Sequence, residues 1–310
     1  MAVPMNDLDR AAIDLEEAGP LMRQAAYASI AVALMLIAFK FGAGLFTNSV
    51  AILSSLVDSV LDLVASTINL IAIRQALQPA DKRHRFGHGK AESLGALVQG
   101  AIIIGSAAFV LFEAASRLIV LEPVTAPALG IGVMGFSIVM TLGLVAYQRY
   151  VIKKTGSSAI SADALHYKGD VLINLSVMVA IVLSSGFGIH YADPIFAIGI
   201  ALYLGWAAVR IIRGSLGVLM DQELGDKERA TIKKMVLGVN GVRDLHDLRT
   251  RSSGPQVFIQ FHIDLERNIS LLDAHEISDD IEDLLLEKYP GAEVIIHADP
   301  EGIDERRDAF

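Results

Sequence analysis

Val50-Ala-Ile-Leu-Ser-Ser-Leu-Val-Asp58-Ser-Val-Leu-Asp62-Leu-Val-Ala65 sets two carboxylates in a run otherwise apolar enough to lie in hydrocarbon. Ala164-Leu-His166-Tyr-Lys-Gly-Asp170-Val-Leu-Ile-Asn174 does the same with an imidazole and a carboxylate. The i, i+4 spacing puts both members of each pair on one helix face. An ionisable group in mid-membrane costs at least about 2.5–3.5 kcal/mol. Two such pairs need a common reason, and a divalent cation held by Asp58, Asp62, His166 and Asp170 supplies one. Each ligand is hard or borderline, and four complete a tetrahedral site. The competing reading is hydrogen bonding between helices, the role expected of Asn69 and Asn174.

The surrounding chain reads as a polytopic membrane protein. Its 310 residues are 53% hydrophobic, with a mean hydropathy of +0.49, too apolar for an ordinary soluble domain. Six spans of roughly 20 or more residues are expected, near 24–46, 50–76, 92–120, 127–150, 160–187 and 193–216. Residues 1–22 are acidic and interrupted by Pro4 and Pro20, and do not resemble a signal peptide. With no cysteine, any metal must be held by His, Asp, Glu or backbone oxygen. Lys40, near one end of the first span, is expected to snorkel, and Glu113 with Arg117 to form an i, i+4 ion pair.

Lys and Arg cluster in the loops after spans 2 and 4 and at the end of span 6, while the alternate loops have neither. That asymmetry predicts a cytoplasmic location for both termini and for everything after residue 217. From Asp221 onward the chain carries 21 acidic against 11 basic residues, which argues against nucleic acid as a partner.

The tail changes period. Asp226 to Leu237 reads as an amphipathic helix. Val257, Ile259, Phe261, Ile263 and Leu265 alternate with Phe258, Gln260, His262 and Asp264, a strand with one buried face. A turn at Arg251-Ser-Ser-Gly-Pro255 pairs it with a strand near 243–250. Ser270 with Asp273 marks a helix start, and Glu293-Val-Ile-Ile-His297 is a third strand. The order α-β-β-α-β makes a compact α+β domain. The expected division is an N-terminal tail at 1–23, a membrane domain at 24–217, the α+β domain at 218–300 and a C-terminal tail at 301–310.

Seven of the eight histidines fall in three groups, leaving only His190, in an outer loop. His166 belongs to the membrane group. Asp81, His84 and His88 lie in the loop after span 2 and can converge on one cation if that loop coils; a solvated basic loop is the competing reading. Gly87-His88-Gly89-Lys90 is no Walker A sequence, because the position of its first glycine is His84. His246, His262, His275, His297 and Asp299 form the tail group, where isolated surface histidines are the alternative.

Together these motifs resemble the cation diffusion facilitators, in particular their bacterial ferrous-iron/zinc efflux branch. The resemblance rests on Leu56-Val-Asp58-Ser-Val-Leu-Asp62, Gln78-Pro-Ala-Asp81, Phe86-Gly-His-Gly-Lys-Ala-Glu-Ser93, Leu165-His-Tyr-Lys-Gly-Asp170, His246-Asp-Leu-Arg-Thr-Arg251 and Val294-Ile-Ile-His-Ala-Asp-Pro300, across residues 24–300. It implies six transmembrane helices and a metallochaperone-like cytoplasmic domain. Asp58, Asp62, His166 and Asp170 would be the transport site, and Asp81, His84 and His88 a loop site. His246, His262, His275, His297 and Asp299 would form a binuclear site at the interface of a homodimer. Lys90 and Asp221 would interlock the membrane helices, and Leu165 would act as a hydrophobic gate. Gly169 departs from the small polar residue expected there and would loosen the helix without removing a ligand.

The expected protein is therefore no enzyme but an efflux transporter of the bacterial inner membrane, exchanging Zn²⁺ first, or Fe²⁺ or Cd²⁺, for protons. Two rivals are an intramembrane aspartyl protease and a membrane-anchored metal sensor that transports nothing.

Overall fold

The computed structural model of the chain describes residues 15–47, 50–119, 128–189 and 191–302. Six helices among them are long and apolar enough to cross a membrane. They are α1 (Leu15–Thr47), α2 (Val50–Ala76), α3 (Lys90–Ile119), α4 (Ala128–Thr155), α5 (Ser158–Phe187) and α6 (Ala192–Leu219). His190 and the outer turns at 48–49 and 120–127 lie outside the described residues.

The helix ends follow local chemistry. The Ser157 hydroxyl caps α5 by accepting the Ile160 N–H, and Gly188 closes it in the left-handed conformation at φ 69°. Glu92, buried near the start of α3, accepts from the Ser158 hydroxyl and the Ala159 N–H, tying α3 to the first turn of α5. The first helix begins earlier than its hydropathy suggests. It is already helical at Leu15, and Pro20 lies inside, where its missing N–H forgoes one intrahelical bond. Met22, Ala25 and Ala26, packed with Ile73, Val151 and Ile160, hold that end in place.

The tail folds in the expected order: α7 (Asp226–Val236), β1 (Asp244–Ser253), β2 (Gln256–Leu265), α8 (Leu271–Lys288) and β3 (Glu293–Pro300). The sheet order is β1-β2-β3, with β1 antiparallel and β3 parallel to β2. Val257, Ile259, Phe261, Ile263 and Leu265 pack with Ile232 and Val236 of α7 and Ile281 and Leu285 of α8. Burying each such side chain is worth about 1.5–3 kcal/mol.

Two expectations shift. The β1–β2 turn shrinks to Gly254-Pro255, and β1 runs on to Ser253, because Gly254 takes a positive φ of 60° that a two-residue hairpin uses. Phe258, on the polar face of β2, is buried. The Arg251 guanidinium lies 4.1 Å from its ring centroid, and Phe86 of the α2–α3 loop meets it edge-on at 5.8 Å. The membrane domain's loop thus covers that end of the sheet. Gly89 is required there: a Cβ would run into the Ser253 backbone.

Candidate metal centres

Helices α2 and α5 bring one ligand atom each from Asp62, His166 and Asp170 within 4.8 Å of one another. His166 Nε2 lies 2.9 Å from Asp62 Oδ1. Such a set suits a small divalent cation. Asp58, one turn earlier on α2, is exposed and stands outside this trio. A helical turn separates it from Asp62 by about 6 Å along the axis, so one cation reaches both only if the side chains converge.

Lys40 does not snorkel. It is buried, and its Nζ donates to the Ser55 carbonyl at 3.0 Å and the Ser59 hydroxyl at 2.8 Å. Those partners lie on α2 beside the two carboxylates, which draw the ammonium inward. Nor do the two asparagines link helices. Asn174 donates to Asp170 O of its own helix, and buried Asn69 makes no side-chain hydrogen bond. Leu165 packs with Ile103, Leu204 and Ala208 of α3 and α6. Gly169 has a packing reason: a Cβ there would sit 2.9 Å from Leu204 Cδ1. Arg117 pairs with Glu113 at 3.0 Å as expected, and also with Asp193 at 3.1 Å, joining α3 to α6.

Sequence reasoning missed Asp163. It lies on α5 one turn before His166, fully buried. Its Oδ2 accepts from Ser29 at 2.6 Å and Gln148 at 2.7 Å, and its Oδ1 from Gln99 at 3.1 Å and Ser66 at 3.4 Å. Tyr167 hydrogen-bonds with Ser66 at 2.9 Å. One carboxylate therefore gathers donors from α1, α2, α3 and α4 beside the trio. The available signal was its place on the His166 face of α5.

The loop cluster coils as its spacing allows. Asp81 Oδ1 accepts the Arg83 and His84 backbone N–H groups at 2.7 Å each. These bonds hold its carboxyl below the usual carboxylate range. Asp81 lies 3.4 Å from each of His84 Nδ1 and His88 Nε2, and those two nitrogens are 3.1 Å apart. Lys90 at the start of α3 pairs with Asp221 beyond α6 at 2.8 Å. That hydrogen bond, aided by Arg251, holds the Asp221 carboxyl low.

In the tail, His246, His262 and Asp299 converge within 4.8 Å. His262 Nδ1 lies 2.8 Å from Asp299 Oδ2, and His297 Nε2 lies 3.0 Å from Asp299 Oδ1. The His297 ring lies tilted against His262, centroids 4.6 Å apart. Strand β3 reaches Asp299, so His297 and Asp299 share a face. His275 stays apart on α8, exposed and 3.4 Å from Asp279. Unforeseen is a second group on this face, Asp244 and Asp264 with His246.

The cation efflux transmembrane domain family matches residues 26–220, and the cytoplasmic domain family of cation efflux proteins matches residues 224–301. The cation-efflux pump FieF of Cronobacter sakazakii is 46% identical over 282 residues, 91% of this chain and 94% of that protein. FieF of Klebsiella pneumoniae is 45% identical over 285 residues, 92% and 95% of the two chains. Among solved structures, the metal-bound C-terminal domain of the CzcD transporter from Thermotoga maritima is 26% identical, with a TM-score of 0.24, over 26% of this chain and 100% of that one. Six apolar spans, a small α+β tail and both domain matches across most of the chain place it in a family of membrane transporters rather than enzymes: the chain belongs to the cation diffusion facilitators, the cation efflux family.

Proposed function

We propose that the protein exports divalent cations, Zn²⁺ first and Fe²⁺ or Cd²⁺ next, in exchange for protons, as a homodimer in the bacterial inner membrane with both termini cytoplasmic. The observation that carries this reading is the convergence of Asp62, His166 and Asp170 from two helices inside the spanning region. Asp58 completes the set when its side chain turns toward them.

The coupling is competition. Carboxylate and imidazole bind metal only when deprotonated, so each cation that enters displaces protons. If the site faces the two sides alternately, protons arriving from outside eject the metal, and cytoplasmic metal ejects the protons. Lys40 supplies a cation from α1 that offsets part of the trio's negative charge between loads. The tail site is regulatory: its ligands lie on three strands, so metal there favours one packing of the small domains.

Asp62→Ala, reconstituted in proteoliposomes with an imposed pH gradient, should lose Zn²⁺ flux to background while remaining folded. Near-normal flux would end this reading.

A further inference from the structure

One face of the tail sheet carries a two-row grid. In register across β1, β2 and β3 stand His246, His262 and His297. Two residues along each strand, on the same face, β1 contributes Asp244, β2 Asp264 and β3 Asp299, with Asp244 paired to Asp264 and Asp264 to Asp299. Like charges directly opposite each other across strands are destabilising. Three carboxylates in one row suit that face to a cation, and the site of His246, His262 and Asp299 draws on only one of them.

His246 shows where further charge belongs. Its side chain is 9% exposed, yet neither ring nitrogen makes a hydrogen bond. Nε2 lies 3.6 Å from Asp299 Oδ2, and Nδ1 lies 3.6 Å from Asp264 Oδ1. Both separations exceed a hydrogen bond. They are near the roughly 3.3–3.4 Å between two ligands that each sit about 2.0–2.1 Å from one tetrahedral ion. A carboxylate that merely oriented the ring would accept Nδ1–H at about 2.7–3.2 Å, and one ligand atom each of Asp244, His246 and Asp264 lies within 4.8 Å of the others.

We propose that Asp244, Asp264 and His246 Nδ1 form a further divalent-cation site, so that His246 bridges two metals. Two carboxylates and an imidazole suit the same hard-to-borderline ions as the membrane trio. A metal on each nitrogen makes the ring an imidazolate, and filling the second site releases its last N–H proton. The bulge between His246 and Arg249, with Asp247 at φ 50°, lies just beyond His246, where an irregular strand re-aims a side chain. Because His246 is shared, occupancy of this site and of the His262 and Asp299 site would be linked, and the tail's response to metal would steepen.

The test counts Co²⁺ bound per protomer to the purified full chain by equilibrium dialysis and follows its visible absorption. Asp244→Asn with Asp264→Asn should bind one Co²⁺ fewer than wild type and keep the His262 and Asp299 site. His246→Ala should lose the ions on both of its nitrogens. An unchanged count in the Asn pair overturns the proposal, and weaker binding at an unchanged count would show Asp264 only orienting the ring. If wild type binds no more Co²⁺ than His246→Ala, the tail reading under the proposed function falls as well. Should the Asn pair unfold the tail, Asp244→Asn alone decides, since Asp244 belongs to the new group and not to that of His262 and Asp299; it should still lose one Co²⁺.

Discussion

His166 is the one imidazole among carboxylates in the membrane group, and its Nε2 faces Asp62 at 2.9 Å. His166→Asp makes that site all-oxygen. Its preference should move from Zn²⁺ toward Mn²⁺, read by competition in proteoliposomes; an unchanged order of metals would remove imidazole as the selective element. Tyr289, at the end of α8, tests burial instead. Its side chain is 2% exposed and its hydroxyl has no hydrogen-bond partner. Burial, with Glu228 nearby, pushes the phenol up to about 12. A raised value favours the protonated form, so its contribution is intact below about pH 10 and is lost as pH rises toward about 12, worth about 2–3 kcal/mol. Tyr289→Phe should leave neutral-pH stability unchanged or raise it by about 1 kcal/mol. It should also flatten the alkaline loss, followed by tail amide exchange corrected for its intrinsic pH dependence. An identical alkaline profile in the variant would place that loss elsewhere.

Helix α5 carries two polar clusters on adjacent turns. His166 and Asp170 belong to the trio, while Asp163 collects hydroxyl and amide donors from four other helices. Asp163→Asn keeps the shape but removes acceptors and the charge; Asp163→Ala removes every acceptor. Each buried donor left unpaired costs about 1–3 kcal/mol. The Ala variant should therefore lose about 3 kcal/mol or more, seen as a large drop in melting temperature in detergent, with the Asn variant between it and wild type. Equal melting of wild type and Ala variant would mean that these donors find other partners. In the tail, β1 and β2 divide their faces cleanly: one packs α7 and α8, the other presents His and Asp. The exception at Phe258 arises because the α2–α3 loop seals that end.

The junction at Lys90, Asp221 and Gly89 couples the tail to α3 and α6, so tail packing can bias the membrane helices without sharing a ligand with them. The tail should then be regulatory. His262→Ala with His297→Ala should lower tail metal affinity and tail stability and reduce transport in part, most visibly at low metal concentration. Metal binding at the membrane trio should persist. Its complete loss in that variant, by isothermal titration of the full chain, would make the tail part of the pathway.

The sequence alone determined the six spans, the α-β-β-α-β tail and the pairing of candidate ligands by helix turn. Hydropathy, period and capping are local, and residues four apart on a helix or two apart on a strand share a face wherever the chain goes. It also carried the family likeness, because the motifs are contiguous runs. Tertiary structure decided what depends on distant neighbours. Ser29 and Asp163 are 134 residues apart, and nothing near either announces their hydrogen bond. Lys40 turned inward because α2 offered it a hydroxyl and a carbonyl, and Gly169 proved to be space for Leu204. The row of Asp244, Asp264 and Asp299 exists only through strand register, which a one-residue slip would abolish by turning one strand's carboxylate to the opposite face.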